Sequence, residues 1–259
     1  MRNALTICLL FMGLCAQTQE YQLAKPLIKI KDGEFFEKST SIHCELRLKG
    51  ADLHYTLNGE EPTRSSPRYR SPIKVKWEDQ IKVKAFKEGF KPSETVTHRF
   101  FRLSQSIASV ALSPPPKAPY AGKAGKTLSD QIAGSFNFRD GKWIGYNQGP
   151  VTIDVDLGNS RHKTLVTLST LISPGSWIMN PDKITISHSR DGVTWESSRA
   201  LKIEPVREGD SAKKAYYQFF VGRYFRYVRL TITPMESLPD WHPGKGQAGW
   251  LFIDEILVQ

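Results

Sequence analysis

The stretch VTIDVDLG, residues 151–158, decides the architecture of this chain. Val151, Ile153, Val155 and Leu157 alternate with Thr152, Asp154, Asp156 and Gly158. Period-two alternation puts one apolar and one polar face on an extended segment, the pattern of a half-buried strand. The same alternation recurs in ADLHYTL (51–57), IKVKAF (81–86), KITISHS (183–189) and YVRLTIT (227–233). Turn signals separate these runs: NGEEPT, KEGFKP, DLGN and SRDG. No long stretch carries an apolar stripe at helical spacing. The chain therefore reads as all-β, built from sandwiches.

Its 259 residues suit one large or two ordinary domains, and 39% hydrophobic and 11% aromatic content can fill real cores. The formal net charge is +10. Lys and Arg are dispersed, without a contiguous basic block, so nucleic acid is not expected as a partner; anionic glycans or surfaces remain open. The opening MRNALTICLLFMGLCAQTQE carries one Arg and an apolar run from Ala4 to Leu14, too short to span a bilayer. It reads as a signal peptide, residues 1–16, cut after Ala16, for a secreted or periplasmic protein. An outer-surface lipoprotein anchored at Cys15 is disfavoured by Leu14, where such signals want a small residue. No other segment is expected to cross a membrane. Past that peptide only Cys44 is left, so no internal disulfide is expected, and its place in SIHCELRL reads as a buried structural thiol.

LSPPPKAPYAGKAGKT (112–127) is rich in Pro, Ala, Gly and Lys. Consecutive prolines favour an extended, semi-rigid segment, so residues 103–126 read as a linker between a first domain over 25–102 and a second over 127–259.

In the first domain, LHYTLNGEEPTRSSPRYRSPIKVKWEDQIKVKAFKEGFKPS resembles the small β-sandwich appended to chitobiases and β-hexosaminidases. The match runs from Tyr55 through Phe86, with Asn58 where the family usually has Asp. Asn58-Gly59 supplies the positive φ of a tight turn. The resemblance implies a fibronectin-like spacer without a catalytic role. Glu60 and Glu61 are adjacent turn carboxylates, which reads as a solvated pair rather than an acid/base pair.

In the second domain, LSDQIAGSFNFRDGKWIGY, VTIDVDLG, PGSWIMNPDKITISHSRDGVTWE, RYFRYVRLTI and GWLFIDEILV follow in order. They resemble the coagulation factor V/VIII C-type, or discoidin-like, domain, and within it the family 32 carbohydrate-binding modules. The pair of domains resembles the accessory tails of Bacteroidetes hexosaminidases. The implied fold is a jelly-roll sandwich. The resemblance also implies a structural Ca²⁺ held by the first loop and the Glu of a C-terminal D-E-I, here Asp130, Ser135 and Glu255. The family's D-G-D with a later Thr is replaced by DQIAGS, which offers fewer oxygen ligands. Asp254 is expected to face away from Glu255.

A sugar site needs aromatic faces for the ring and polar groups for hydroxyls. Trp241 and His242 in LPDWHPGKGQAG are the first candidates, Trp177 the next, with Arg139, Asn147 and Tyr146 as hydrogen-bonding groups or a second platform. Trp195, Trp250 and Phe252 are assigned to the core. The expected function is a secreted, non-catalytic carbohydrate-binding protein, its partner a galactoside or N-acetylhexosaminide glycan, alongside a glycosidase or cell-surface protein. The alternatives are an adhesion or assembly module for protein or anionic surfaces, and a separated accessory tail of a glycosidase. No Ser-His-Asp, metal-hydrolase or paired-carboxylate motif points to an enzyme.

Overall fold

The structure, a computed structural model, describes residues 21–259 apart from 32, 78, 105 and 163, with backbone alone at 79 and 197–199. The expected signal peptide, with Cys8 and Cys15, lies outside the described residues. No described helix is long and apolar enough to cross a membrane.

Two β-sandwiches follow one another. In the first, β1 (Leu27–Ile30), β3 (Thr40–Glu45) and β5 (Ile73–Val75) form one sheet in the order β1-β3-β5. The facing sheet runs β2-β7-β6-β4, from β2 (Phe35–Phe36), β4 (Asp52–Thr56), β6 (Asp79–Phe86) and β7 (Val96–Arg102). Ile42, Ile81, Val83, Ala85 and Phe100 fill the space between them. Cys44 joins this core, and burial pushes its thiol up to about 11, which makes it inert at neutral pH. Gly59 takes a φ of 77° in the expected turn, and Asn58 accepts the Glu60 N–H.

The second sandwich has one sheet in the order β13-β12-β15-β10-β8, made of β8 (Ser109–Ser113), β10 (Val151–Arg161), β12 (Lys183–Ser189), β13 (Trp195–Ala200) and β15 (Phe225–Thr233). The other runs β14-β11-β16-β9, from β9 (Ile144–Tyr146), β11 (Thr164–Ile172), β14 (Lys213–Val221) and β16 (Leu251–Val258). Val151, Ile153, Val155 and Leu157 face the main core with Val228, Leu230 and Ile232. On the outer face Asp154 and Arg229 are cross-strand partners joined by two hydrogen bonds, and Trp195 stacks 4.1 Å from that guanidinium. Trp195 is thus half-buried on the outside of the sheet, not in the core where its sequence context placed it. Its strand is the sheet edge, and its indole lies on the same outer face as Arg229.

The stretch expected as a linker is not one. Residues 109–113 pair along β10 from Thr152↔Ser113 to Asp156↔Ser109, and Val110 and Leu112 pack against the main core. A short 3-10 turn, Ala124–Leu128, then buries Leu128. The prolines begin only after this edge strand ends, so they close its sheet rather than separate two domains.

Every residue of β16 is buried. Leu251, Ile253, Ile256 and Val258 belong to the main core, so the inward face skips from 253 to 256. The pairing explains the skip: Ser169 sits opposite Glu255 and Thr170 opposite Ile253, leaving Asp254 as an extra, bulged residue. The bulge turns both carboxylates to the outer face, where strict alternation would have driven one into the apolar core. The expectation that Asp254 and Glu255 diverge is corrected by this bulge.

The first sandwich covers that outer face. Phe35, Phe101 and Leu103 pack on Leu257, Tyr216 and Ala133, with Phe101 and Tyr216 rings 4.5 Å apart. The Ser104 N–H donates to the Val258 carbonyl. Beside these contacts lies a buried ionic group. Lys214 contacts Glu34 and stands 3.6 Å from Asp254, while His98 Nε2 is 2.6 Å from Glu34. Burial raises the Glu34 carboxyl, but His98 and Lys214 together hold it below its ordinary value.

Candidate functional site

A long loop of the second sandwich, residues 130–143, crosses the outer face of β16 from Glu255 toward Phe252 and is fixed by its own side chains. Asp140 accepts the Ser135 N–H and hydroxyl on Oδ2 and the Lys142 N–H on Oδ1. Asn137 accepts the Arg139 N–H, and Trp143 Nε1 donates to the Ser135 carbonyl at 3.0 Å. Gly134 lies so close to the Trp143 indole that a Cβ there would sit 2.2 Å from Cε2, and its N–H donates to Asp254. Only glycine permits that approach.

This rigid loop presents Phe138 and Arg139. The Arg139 guanidinium lies 4.5 Å from the Phe138 centroid, a cation–π contact that orients it. Tyr120 approaches from the preceding segment, its ring 5.9 Å from Phe138, 4.9 Å from Phe252 and 5.1 Å from Trp250. The Gly145 N–H donates to the Tyr120 carbonyl, and Gly145 leaves space for the Tyr120 Cβ and the Phe252 ring. Together Pro119, Tyr120, Gly122, Phe138, Arg139, Gly141 and Trp143 enclose a cleft of about 190 Å³. Tyr120 and Phe138 were not singled out by sequence. Their signal was an aromatic inside a Gly/Pro/polar run, as in APYAG and NFRDG, the same criterion that pointed to Trp241.

The sequence candidates scatter. Arg139 is exposed on the cleft. Tyr146 is buried, with its hydroxyl donating to the Pro114 carbonyl, and burial pushes it up to about 12, so it is a packing residue. Asn147 is half-buried beside it. His242 is buried and not offered to a ligand. Its Nε2 donates to the Pro174 carbonyl at 2.9 Å and its Nδ1 accepts the Gly244 N–H at 3.0 Å, which fixes the tautomer and uses both nitrogens. Trp177 and Trp241 stand edge-on to His242 and pack with Met179, Val206 and Leu238. Both indoles are half-buried, and Gly244 gives way to Trp177 as Gly134 does to Trp143. The loop Leu238–Gly249 therefore folds onto its own small core instead of displaying its rings. Trp250 is half-buried in the Tyr120 cluster and Phe252 is buried under it.

Of the expected metal ligands, Glu255 and Asp130 come together and Ser135 does not. Burial, the neighbouring Asp254 charge and the Asp130 charge push Glu255 up to about 9, against hydrogen bonds from the Gln131 and Ile132 N–H groups. Its Oε2 is buried with no partner among the described residues. A small void of about 10 Å³, lined by Ser129, Gln131 and Glu255 among others, adjoins it. Ser135 spends its hydroxyl on Asp140, in a different turn.

No curated protein matches the chain. Among solved structures, a truncated AlyQ with CBM32 and alginate lyase domains is 17% identical with a TM-score of 0.36, over 60% of this chain and 32% of that one. The chain therefore spans about a third of that protein's length. A CBM32 module of a family 31 glycoside hydrolase from Clostridium perfringens is 16% identical with a TM-score of 0.40, over 59% of this chain and 90% of that one. Chitosan-binding module 1 of a chitosanase/glucanase from Paenibacillus sp. IK-5 is 16% identical with a TM-score of 0.35, over 60% and 96%. A likeness at these scores assigns neither ligand nor activity. Residues 31–97, within the first sandwich, match the family model of the chitobiase/beta-hexosaminidase C-terminal domain.

Proposed function

We propose that this is an exported, non-catalytic carbohydrate-binding protein that holds one sugar unit of a galactoside or N-acetylhexosaminide glycan in the cleft of Tyr120, Phe138 and Arg139. The observation that carries this reading is the cleft itself, about 190 Å³ and walled by aromatic rings beside a fixed guanidinium. Ring faces suit the C–H side of a pyranose, and Arg139 donates to its hydroxyls. The match of residues 31–97 to a glycosidase accessory domain supports a glycan setting. The test is a glycan array probed with the protein and with Phe138→Ala. Binding to one sugar class that the variant loses supports the reading; equal binding by both contradicts it.

A structural Ca²⁺ belongs to the same proposal. The residues fit such an ion in part: Glu255 has an orphaned buried oxygen beside an ion-sized void, and Asp130 adds a second carboxylate. Glu255, Asp130 and loop carbonyls would hold it, without Ser135. A cation there would offset two repelling carboxylates and tie the first loop to the last strand.

A second reading, adhesion to protein or an anionic surface, is favoured by one observation. Val193, Phe220 and Tyr224 are exposed at the opposite end of the sandwich, next to Arg190 and Arg223. Binding that ignores sugars and disappears at moderate salt would favour it.

A further inference from the structure

We infer that the cleft between the two sandwiches is a second binding site, which takes an acidic sugar unit, carboxylated or sulfated, of a glycan chain. The cleft has a volume of about 770 Å³ and is lined by Glu37, Lys38, Arg102, Ser104, Ser106 and Arg161, with Leu103 at its floor. Three cations thus converge against one carboxylate. They come from separate elements: Lys38 follows β2, Arg102 ends β7, and Arg161 ends β10 of the second sandwich. Only the packing of one sandwich on the other brings them together.

Two of these side chains are prepared for an acceptor. The Arg102 guanidinium sits 4.4 Å from the Trp77 ring centroid, and its Nε donates to the Glu37 carbonyl at 3.2 Å. Its remaining N–H groups are held in one plane, the arrangement that recognises carboxylate or sulfate oxygens. Among the described residues Arg161 Nε is buried without a partner, and its Nη1 reaches only the adjacent Ser160 carbonyl at 3.4 Å. A buried donor without an acceptor is costly unless a ligand or water supplies one. Lys38, Arg102 and Arg161 form no ion pair with a described residue, whereas Lys25, Lys29, Arg68 and Lys84 on the first sandwich pair with Glu94, Glu45, Asp52 and Glu61.

The enclosure favours a sugar over a nucleic acid strand. A strand needs a basic groove that follows successive phosphates, and here Lys38, Arg102 and Arg161 line a single cleft. Ser104 and Ser106 add hydroxyls suited to sugar hydroxyls, and Trp77, 67% exposed, holds the Arg102 guanidinium over its ring.

The test is binding of the whole protein to chondroitin sulfate oligosaccharides, with unsulfated chondroitin, neutral chitooligosaccharides and single-stranded DNA alongside. The variants are Arg161→Gln, Lys38→Gln and, as a control at an exposed cation outside both clefts, Lys183→Gln. Arg161→Gln and Lys38→Gln, with melting temperatures near that of the parent, should each weaken binding to the acidic oligosaccharides about tenfold or more. Binding should fall as salt rises, and Lys183→Gln should leave it unchanged. The unsulfated arm tells carboxylate from sulfate recognition. Equal binding by both charge variants, no binding to either acidic oligosaccharide at low salt, or tighter binding to DNA would overturn the inference. Because the neutral chitooligosaccharides report the end-loop cleft and the two charge variants report this one, failure here leaves the end-loop proposal standing, and failure there leaves this one.

Discussion

Lys214 of the second sandwich meets Glu34 of the first, with each side chain almost wholly removed from water. Asp254, bulged out of the final strand, stands 3.6 Å from the same ammonium. This contact joins the last strand to the first domain. It also answers why a strand buried along its length carries two adjacent carboxylates: one is neutralised across the domain contact, the other faces the first loop.

Lys214→Met should be strongly destabilising. It leaves Glu34 and Asp254 buried without their shared cation, a loss of about 3–5 kcal/mol for a broken buried pair. Pairing it with Glu34→Gln should recover part of that loss. Urea unfolding of the two variants against the parent checks both signs; additive losses would show that the residues are not coupled.

Gly134→Ala should disturb the cleft from beneath. The new methyl would meet the Trp143 indole, and overpacking of this kind costs about 1–3 kcal/mol. Sugar binding should weaken with it, because Trp143 forms the cleft wall. Gly141→Ala is the contrast: no atom lies within 4 Å of its added Cβ, but its φ of 79° makes the change one of backbone strain alone.

Asp191 gives a pH signature. Hydrogen bonds from the Thr194 and Val193 N–H groups and from Ser189 bring its carboxyl down to about 2. A depressed acid stabilises the fold above its unfolded value and loses that contribution as pH falls through the folded one. Asp191→Ala should therefore melt lower than the parent at pH 7, with the gap closing between about pH 4 and pH 2. Melting curves across that range test it, and a pH-independent gap would contradict the turn's role.

Calcium should raise the melting temperature, and Glu255→Gln should abolish the rise while itself tolerating chelator better than the parent. An ion held at 100 times its Kd adds about 2.7 kcal/mol. An identical melting temperature in calcium and in chelator would remove the ion from the account.

The sandwiches were legible because alternation is a local signal. Val151, Ile153, Val155 and Leu157 announce their face without help from distant residues, and Asp191-Gly192 announces its hairpin. The first sandwich was legible through its turn chemistry around Asn58-Gly59. What stayed hidden depends on what packs on the outside of a sheet. The segment 109–113 is too short, and too close to three prolines, to read as a strand until β10 is beside it. The bulge at Asp254 follows from pairing register. Trp241 and His242 have the composition of a display loop, yet Gly244 lets that loop close over Trp177, and the rings pack together. Tyr120 and Phe138 carry no motif of their own; they become a site because Gly134 and Gly145 let two segments meet.

The most direct test of the glycan-binding account is chemical-shift mapping of the isotopically labelled protein during titration with galactoside and N-acetylhexosaminide oligosaccharides. The account predicts shifts concentrated at Tyr120, Phe138, Arg139 and Gly141, with Trp177 and Trp241 unmoved. Shifts centred on Trp177 and Trp241, or none with any neutral sugar, would contradict it.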